Sequence, residues 1–143
     1  MLTIVSVKPT DDYFDIITNG FEVENKKVGN LGQLDFDLSR PIILFHPRTH
    51  DDNAEWLPPE RIEDFMDFDF PKDCYLVFGA DYNFKIIEEI EDFQPELIEY
   101  SRWVKIPTEK SSFKSLHAHQ TAAIVLWEYY KRTDKANIKW QSQ

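Results

Sequence analysis

Two short uncharged runs constrain this chain most: Pro41-Ile42-Ile43-Leu44-Phe45 and Cys74-Tyr75-Leu76-Val77-Phe78. A strand with one face in water alternates apolar and polar residues, because successive side chains point to opposite faces. Runs that are apolar at every position must be covered on both faces, as in the strands of a parallel sheet. Ser101–Ile106 reads as a third strand, and Leu2–Val7, closed by Lys8-Pro9, as an opening one. Between them lies helical spacing. Ile86, Ile87, Ile90 and Phe93 share one side of a predicted helix over 84–93, with Glu88, Glu89, Glu91 and Asp92 outside. This alternation predicts an α/β domain with a mainly parallel sheet and helices on both faces.

Other segments read less directly. Tyr13–Ile17 is a short apolar stretch that stops at the turn dipeptide Asn19-Gly20, and residues 28–32, with two glycines, read as a loop. Leu57-Pro58-Pro59-Glu60 suits a helix start, with Ile62, Phe65 and Met66 following at helical spacing. A helix is predicted over Ala118–Lys131, and its centre, Ala122 to Trp127, is apolar all round, so burial in the core or against another subunit is expected. The acidic stretch Glu55–Asp73 lacks the ligand spacing and glycine of a calcium loop.

With 143 residues the chain is expected to form a single domain, 1–143. No apolar run approaches the roughly 20 residues that span a bilayer, and Met1–Val7 has no basic leader. A cytoplasmic protein without membrane contact is the expectation. The lone Cys74 excludes an intramolecular disulfide and any cysteine-based zinc site.

The formal net charge of −10 argues against a general nucleic-acid binder, but the charge is unevenly placed. Residues 1–100 hold 8 basic against 23 acidic side chains, whereas residues 101–143 hold 8 against 3. The second segment predicts a positive rim for an anionic substrate such as RNA. The first suits a basic protein partner. Ordinary solvation of the late lysines is the alternative for the rim.

Three loops follow predicted strands: Phe78-Gly79-Ala80-Asp81, Ile106-Pro107-Thr108 and Ser115-Leu116-His117. Ligands of open α/β sheets sit outside the carboxyl ends of the strands. The phrase Val104-Lys105-Ile106-Pro107-Thr108, then Ser115-Leu116-His117, then an apolar run to Trp127-Glu128 resembles the carboxy-terminal signature of the SpoU/TrmH-type SPOUT methyltransferases. The likeness is fullest over residues 75–131.

That resemblance implies a carboxy-terminal trefoil knot, S-adenosylmethionine as methyl donor, RNA as substrate and a homodimer packed through the knot region. It assigns Leu76, Phe78, Gly79, Asp81, Ile106, Ser115 and Leu116 to the cofactor pocket. Departures from the pattern are specific. The stretch 10–20 has neither the Asn-x-Gly motif nor the arginine of the ribose methyltransferases. Asp81 stands for a glutamate, Phe84 for a glycine and His117 for an asparagine. His117 and Arg48 are therefore the expected catalytic or substrate-contacting residues, as a base near neutral pH and a bidentate phosphate partner. His119 could likewise supply the imidazole; the structural alternatives are a backbone-bonded His117 in a loop and His119 at a helix start. His46-x-x-x-His50 and His117-x-His119 could in principle hold a metal, but spacing of this kind between loops is poorly specific and no metal site is assigned. Two alternatives stay open: a degenerate member serving binding or assembly, and an ordinary flavodoxin-like sheet.

Overall fold

The computed structural model describes residues 2–7, 10–45, 62–78, 96–106 and 118–133. Its elements are β1 (Thr3–Val7), α1 (Asp12–Asn19), β2 (Glu24–Val28), β3 (Ile42–Phe45), β4 (Ile62–Asp64), β5 (Tyr75–Phe78), α2 (Leu97–Tyr100), β6 (Ser101–Lys105) and α3 (Ala118–Thr133). Single 3-10 turns occupy Leu31–Gln33 and Phe65–Asp67. The strands form one six-stranded sheet in the order β2-β1-β5-β3-β6-β4, and every neighbouring pair is parallel. The α/β fold with a mainly parallel sheet is thus the observed one.

Two late strands enter between earlier ones: β5 lies between β1 and β3, and β6 between β3 and β4. Ser6, Phe78 and Phe45 stand level in register near the carboxyl ends of β1, β5 and β3. The uncharged runs of β3 and β5 are buried at every position, as central parallel strands require.

Alternation sorts the side chains. Leu2, Ile4, Ile43, Phe45, Leu76, Phe78 and Val104 meet Phe14 of α1 and Ala122, Val125 and Leu126 of α3 on one face. Val5, Val7, Ile42, Leu44, Tyr75, Val77 and Trp103 take the other, packed by Leu31 and Phe36. Cys74 sits within the helix-covered core, where burial pushes its thiol up to about 11.

Helices α1 and α3 run side by side in one direction. The Tyr13 and His119 rings approach to 5.6 Å at one end, and Phe21 and Tyr130 to 6.1 Å at the other. Phe14 anchors α1 to the sheet by meeting the Phe78 ring edge-on at 5.6 Å, and Phe78 in turn stacks on Phe45 at 5.3 Å.

Several expectations need correction. Tyr13–Ile17 lies within α1, and Gly20 is its C-cap, donating to Ile17 O at 3.1 Å. Val28 ends a strand and Leu31–Gln33 is a helical turn, so residues 28–32 are not simply a loop. Ile62 lies in β4, while Phe65 and Met66 belong to a single 3-10 turn, so the helical spacing there is not realised. The turn starts where Asp64 Oδ1 accepts from Met66 N at 2.8 Å. The centre of α3 is not buried all round: Ile124 and Trp127 are 38% and 52% exposed. The expected helix over 84–93 and Pro58-Pro59 lie outside the described residues.

Phe14→Ala should lower the unfolding free energy by about 3–5 kcal/mol, since a fully buried ring leaves a cavity between helix and sheet. Chemical denaturation checks this, and a loss below about 1 kcal/mol would show that α1 does not depend on this anchor.

Candidate active site at the carboxyl edge of the sheet

All six strands are parallel, so their carboxyl ends form a single edge. Helix α1 follows β1 closely in the chain, which puts its amino end at that edge, and the parallel packing of α3 brings a second helix amino end beside it. Phe78 and Ile106 belong to the same core cluster here, with Leu76 one step deeper along β5. Leu76 and Phe78 are 0% and 1% exposed, and Ile106, partly buried, packs against the cluster that contains them. Three of the expected pocket residues thus belong to one apolar cluster beneath this edge. Gly79, Asp81, Ser115, Leu116, His117 and Arg48 lie outside the described residues, as do His46, His50 and Pro107.

Sequence reasoning did not find the polar group at this edge. His119 Nδ1 lies 3.0 Å from Asp11 Oδ2, and both side chains are 24% exposed. Asp11 is the N-cap of α1, its Oδ1 accepting from Phe14 N at 2.8 Å. Both carboxylate oxygens are thus engaged, one by the helix backbone and one by the imidazole. The pair is separated by 108 positions, beyond the reach of any local pattern. The available signal was His119 at the start of a predicted helix; nothing pointed to Asp11.

Several cations of the described region are engaged. Lys27 pairs with Asp15, and Arg102 donates to Glu63 through Nε at 2.8 Å and Nη2 at 2.6 Å. Lys131 Nζ and Arg132 Nε meet Glu128 at 2.8 and 3.1 Å, and the hydrogen bond from Lys131 holds that carboxyl below its usual range. Arg132 also donates to Phe68 O.

A cavity of about 370 Å³ lies at the opposite, amino-terminal edge, lined by Thr3, Glu24, Asp37, Arg40 and Asp73. Arg40 closes one side. Its Nη2 donates to Thr3 Oγ1 at 2.8 Å, its Nε to Asp73 O at 2.5 Å, and it stacks 4.0 Å over Tyr75. These bonds fix the turn before β5, where Asp73 has a φ of 56°. That arrangement is structural, and ligands of open parallel sheets bind at the other edge.

No family profile and no curated protein sequence matches the chain. Its fold is nonetheless a known one. A structure described as giving insights into the 2-OH methylation of C/U34 on tRNA is similar at a TM-score of 0.60 and 12% identity, over 94% of this chain and 91% of the other. A probable methylase family protein from Haemophilus influenzae Rd KW20 is similar at 0.54 and 9% identity, over 99% of this chain and 72% of its own. At such identities the likeness establishes a shared fold.

The capping role of Asp11 predicts that Asp11→Ala costs about 1 kcal/mol of stability while Asp11→Asn costs only a few tenths, because asparagine caps nearly as well. Equal losses in the two variants, measured by denaturant titration, would show that the cap contributes little.

Proposed function

We propose that this chain is a small SPOUT-type protein that binds S-adenosylmethionine at the carboxyl edge and transfers its methyl group to RNA, at a ribose hydroxyl or a base. The observation that carries this reading is the sheet order. Inserting β5 and β6 between earlier strands puts Phe78 and Ile106 in one apolar cluster, on the edge where two helices begin. An uncharged cluster suits an adenosine ring, which would be held by backbone groups of the adjoining loops. The likeness in fold to two methylation-related structures supports the same conclusion.

In this reading Leu76, Phe78 and Ile106 shape the pocket, and Gly79, Asp81, Ser115 and Leu116 complete it. Arg48 and His117 meet the substrate. The cofactor supplies an electrophilic methyl group on sulfur. The protein's task is to place a nucleophile in line with that methyl, which proximity and orientation largely accomplish. The segments after β5 and β6 would form the trefoil knot. Titration calorimetry with S-adenosylmethionine is expected to show one site per chain, and tritium from the labelled methyl group should pass to total tRNA. Absence of both heat and thermal shift would overturn the cofactor assignment.

The same reading includes a homodimer. Tyr13 and Ile16 of α1 are 67% and 69% exposed, and Ile124 and Trp127 leave the neighbouring α3 partly bare. Large apolar side chains on adjoining helices favour a covering partner. Trp127→Glu is expected to convert a dimer into a monomer in sedimentation velocity without unfolding it. A wild-type chain that sediments as a monomer at tens of micromolar would refute this.

A second reading is favoured by the ion pairing of Arg102, Lys131 and Arg132 together with the net charge of −10. It is a degenerate SPOUT-fold protein that keeps the pocket but serves binding or assembly with a basic partner. Cofactor binding without transfer to any RNA fraction would select it.

A further inference from the structure

We propose that His119, oriented by Asp11, accepts the proton of a substrate hydroxyl during methyl transfer, which makes the favoured nucleophile a hydroxyl oxygen. This rests on the methyltransferase reading and adds to it the pairing of His119 with Asp11, which the sequence pattern did not show.

The geometry is that of an oriented imidazole. A carboxylate can only accept, so the 3.0 Å contact with Asp11 Oδ2 places the ring proton on Nδ1 and the lone pair on Nε2. Asp11 cannot easily swing away, because its other oxygen caps α1 through Phe14 N. The Tyr13 ring, 5.6 Å from the imidazole, closes one side. Two residues far apart in sequence thus meet where α1 and α3 begin, one helical turn from the Phe14 ring that covers Phe78. Partial exposure of 24% keeps the pair reachable from solvent while limiting its hydration.

The first turn of α1 also carries Asp12 and Asp15, the latter ion-paired with Lys27 and bonded by Thr10 Oγ1. The first turn of α3 carries no acidic residue. Among the described residues, Asp11 is the carboxylate bonded to the imidazole.

The step balances. The hydroxyl oxygen forms a bond to the methyl carbon, the carbon–sulfur bond breaks, and its electron pair neutralises the sulfonium to a thioether. The hydroxyl proton passes to His119 Nε2 and leaves later to solvent. Chemistry at a carbon or nitrogen of a base would not need this acceptor in the same position.

The test compares the full-length wild-type chain with His119→Gln and Asp11→Asn. Each is assayed for S-adenosylmethionine affinity by calorimetry, for thermal unfolding, and for tritium transfer to total tRNA across pH. Asp11→Asn keeps the helix cap while removing the charge. Both variants should bind the cofactor within about twofold of wild type. Transfer should fall roughly a hundredfold in His119→Gln, the scale of a lost general base, and by less in Asp11→Asn. Transfer within about threefold of wild type in His119→Gln overturns the proposal, and Asp11→Asn decides by the same limit if His119→Gln does not fold. A wild-type chain that neither binds cofactor nor labels RNA discards the methyltransferase reading and this inference together. Normal binding and labelling with an indifferent His119 discards this inference alone.

Discussion

Everything at the carboxyl edge depends on β5 being hydrogen-bonded to β1 on one side and β3 on the other. A central strand buried on both faces has no freedom of register, since a one-residue slip would exchange its two sets of side chains. Leu76 and Phe78 are thereby directed to the helix-covered face, and Tyr75 and Val77 to the other. The level alignment of Phe78 with Phe45 lets the two rings stack, and the stacked pair is the platform on which Phe14 seats α1. The position of α1 fixes Asp11, and α3 then brings His119 to it. The polar pair is thus a consequence of strand order.

The same dependence explains how much was legible beforehand. Strands β1, β3 and β5 could be read because burial on both faces writes itself into every residue of the run, and β6 through Trp103 and Val104 at its centre. Strand β2 could not. Glu24, Asn25, Lys26 and Lys27 are all exposed, and only Val28 is buried, so the strand exists through backbone pairing with β1 alone. Charged residues on such an edge also discourage pairing with other chains. At β4 the spacing of Ile62, Phe65 and Met66 imitated a helix, but Asp64 capped a single turn and left Met66 74% exposed.

Helix α3 misled in another way. Ala122, Val125 and Leu126 face the sheet with no exposure, while Ile124 and Trp127 turn outward. Apolar content alone does not distinguish a helix enclosed by its own domain from one with a sheet on one side and a partner on the other. The site was legible to a similar degree. The clustering of Leu76, Phe78 and Ile106 followed from where apolar strands end, whereas Asp11 and His119 meet only through the packing of two helices.

The charge distribution bears on what can approach this edge. A net charge of −10 repels RNA at long range, but screening confines that repulsion to about 8 Å at physiological salt. Affinity therefore turns on cations close to the contact. Lys131 and Arg132 lie in the last turn of α3, at the end of the helix away from this edge, and both are bonded to Glu128. Lys105, the last residue of β6, already stands at the edge where the strands end.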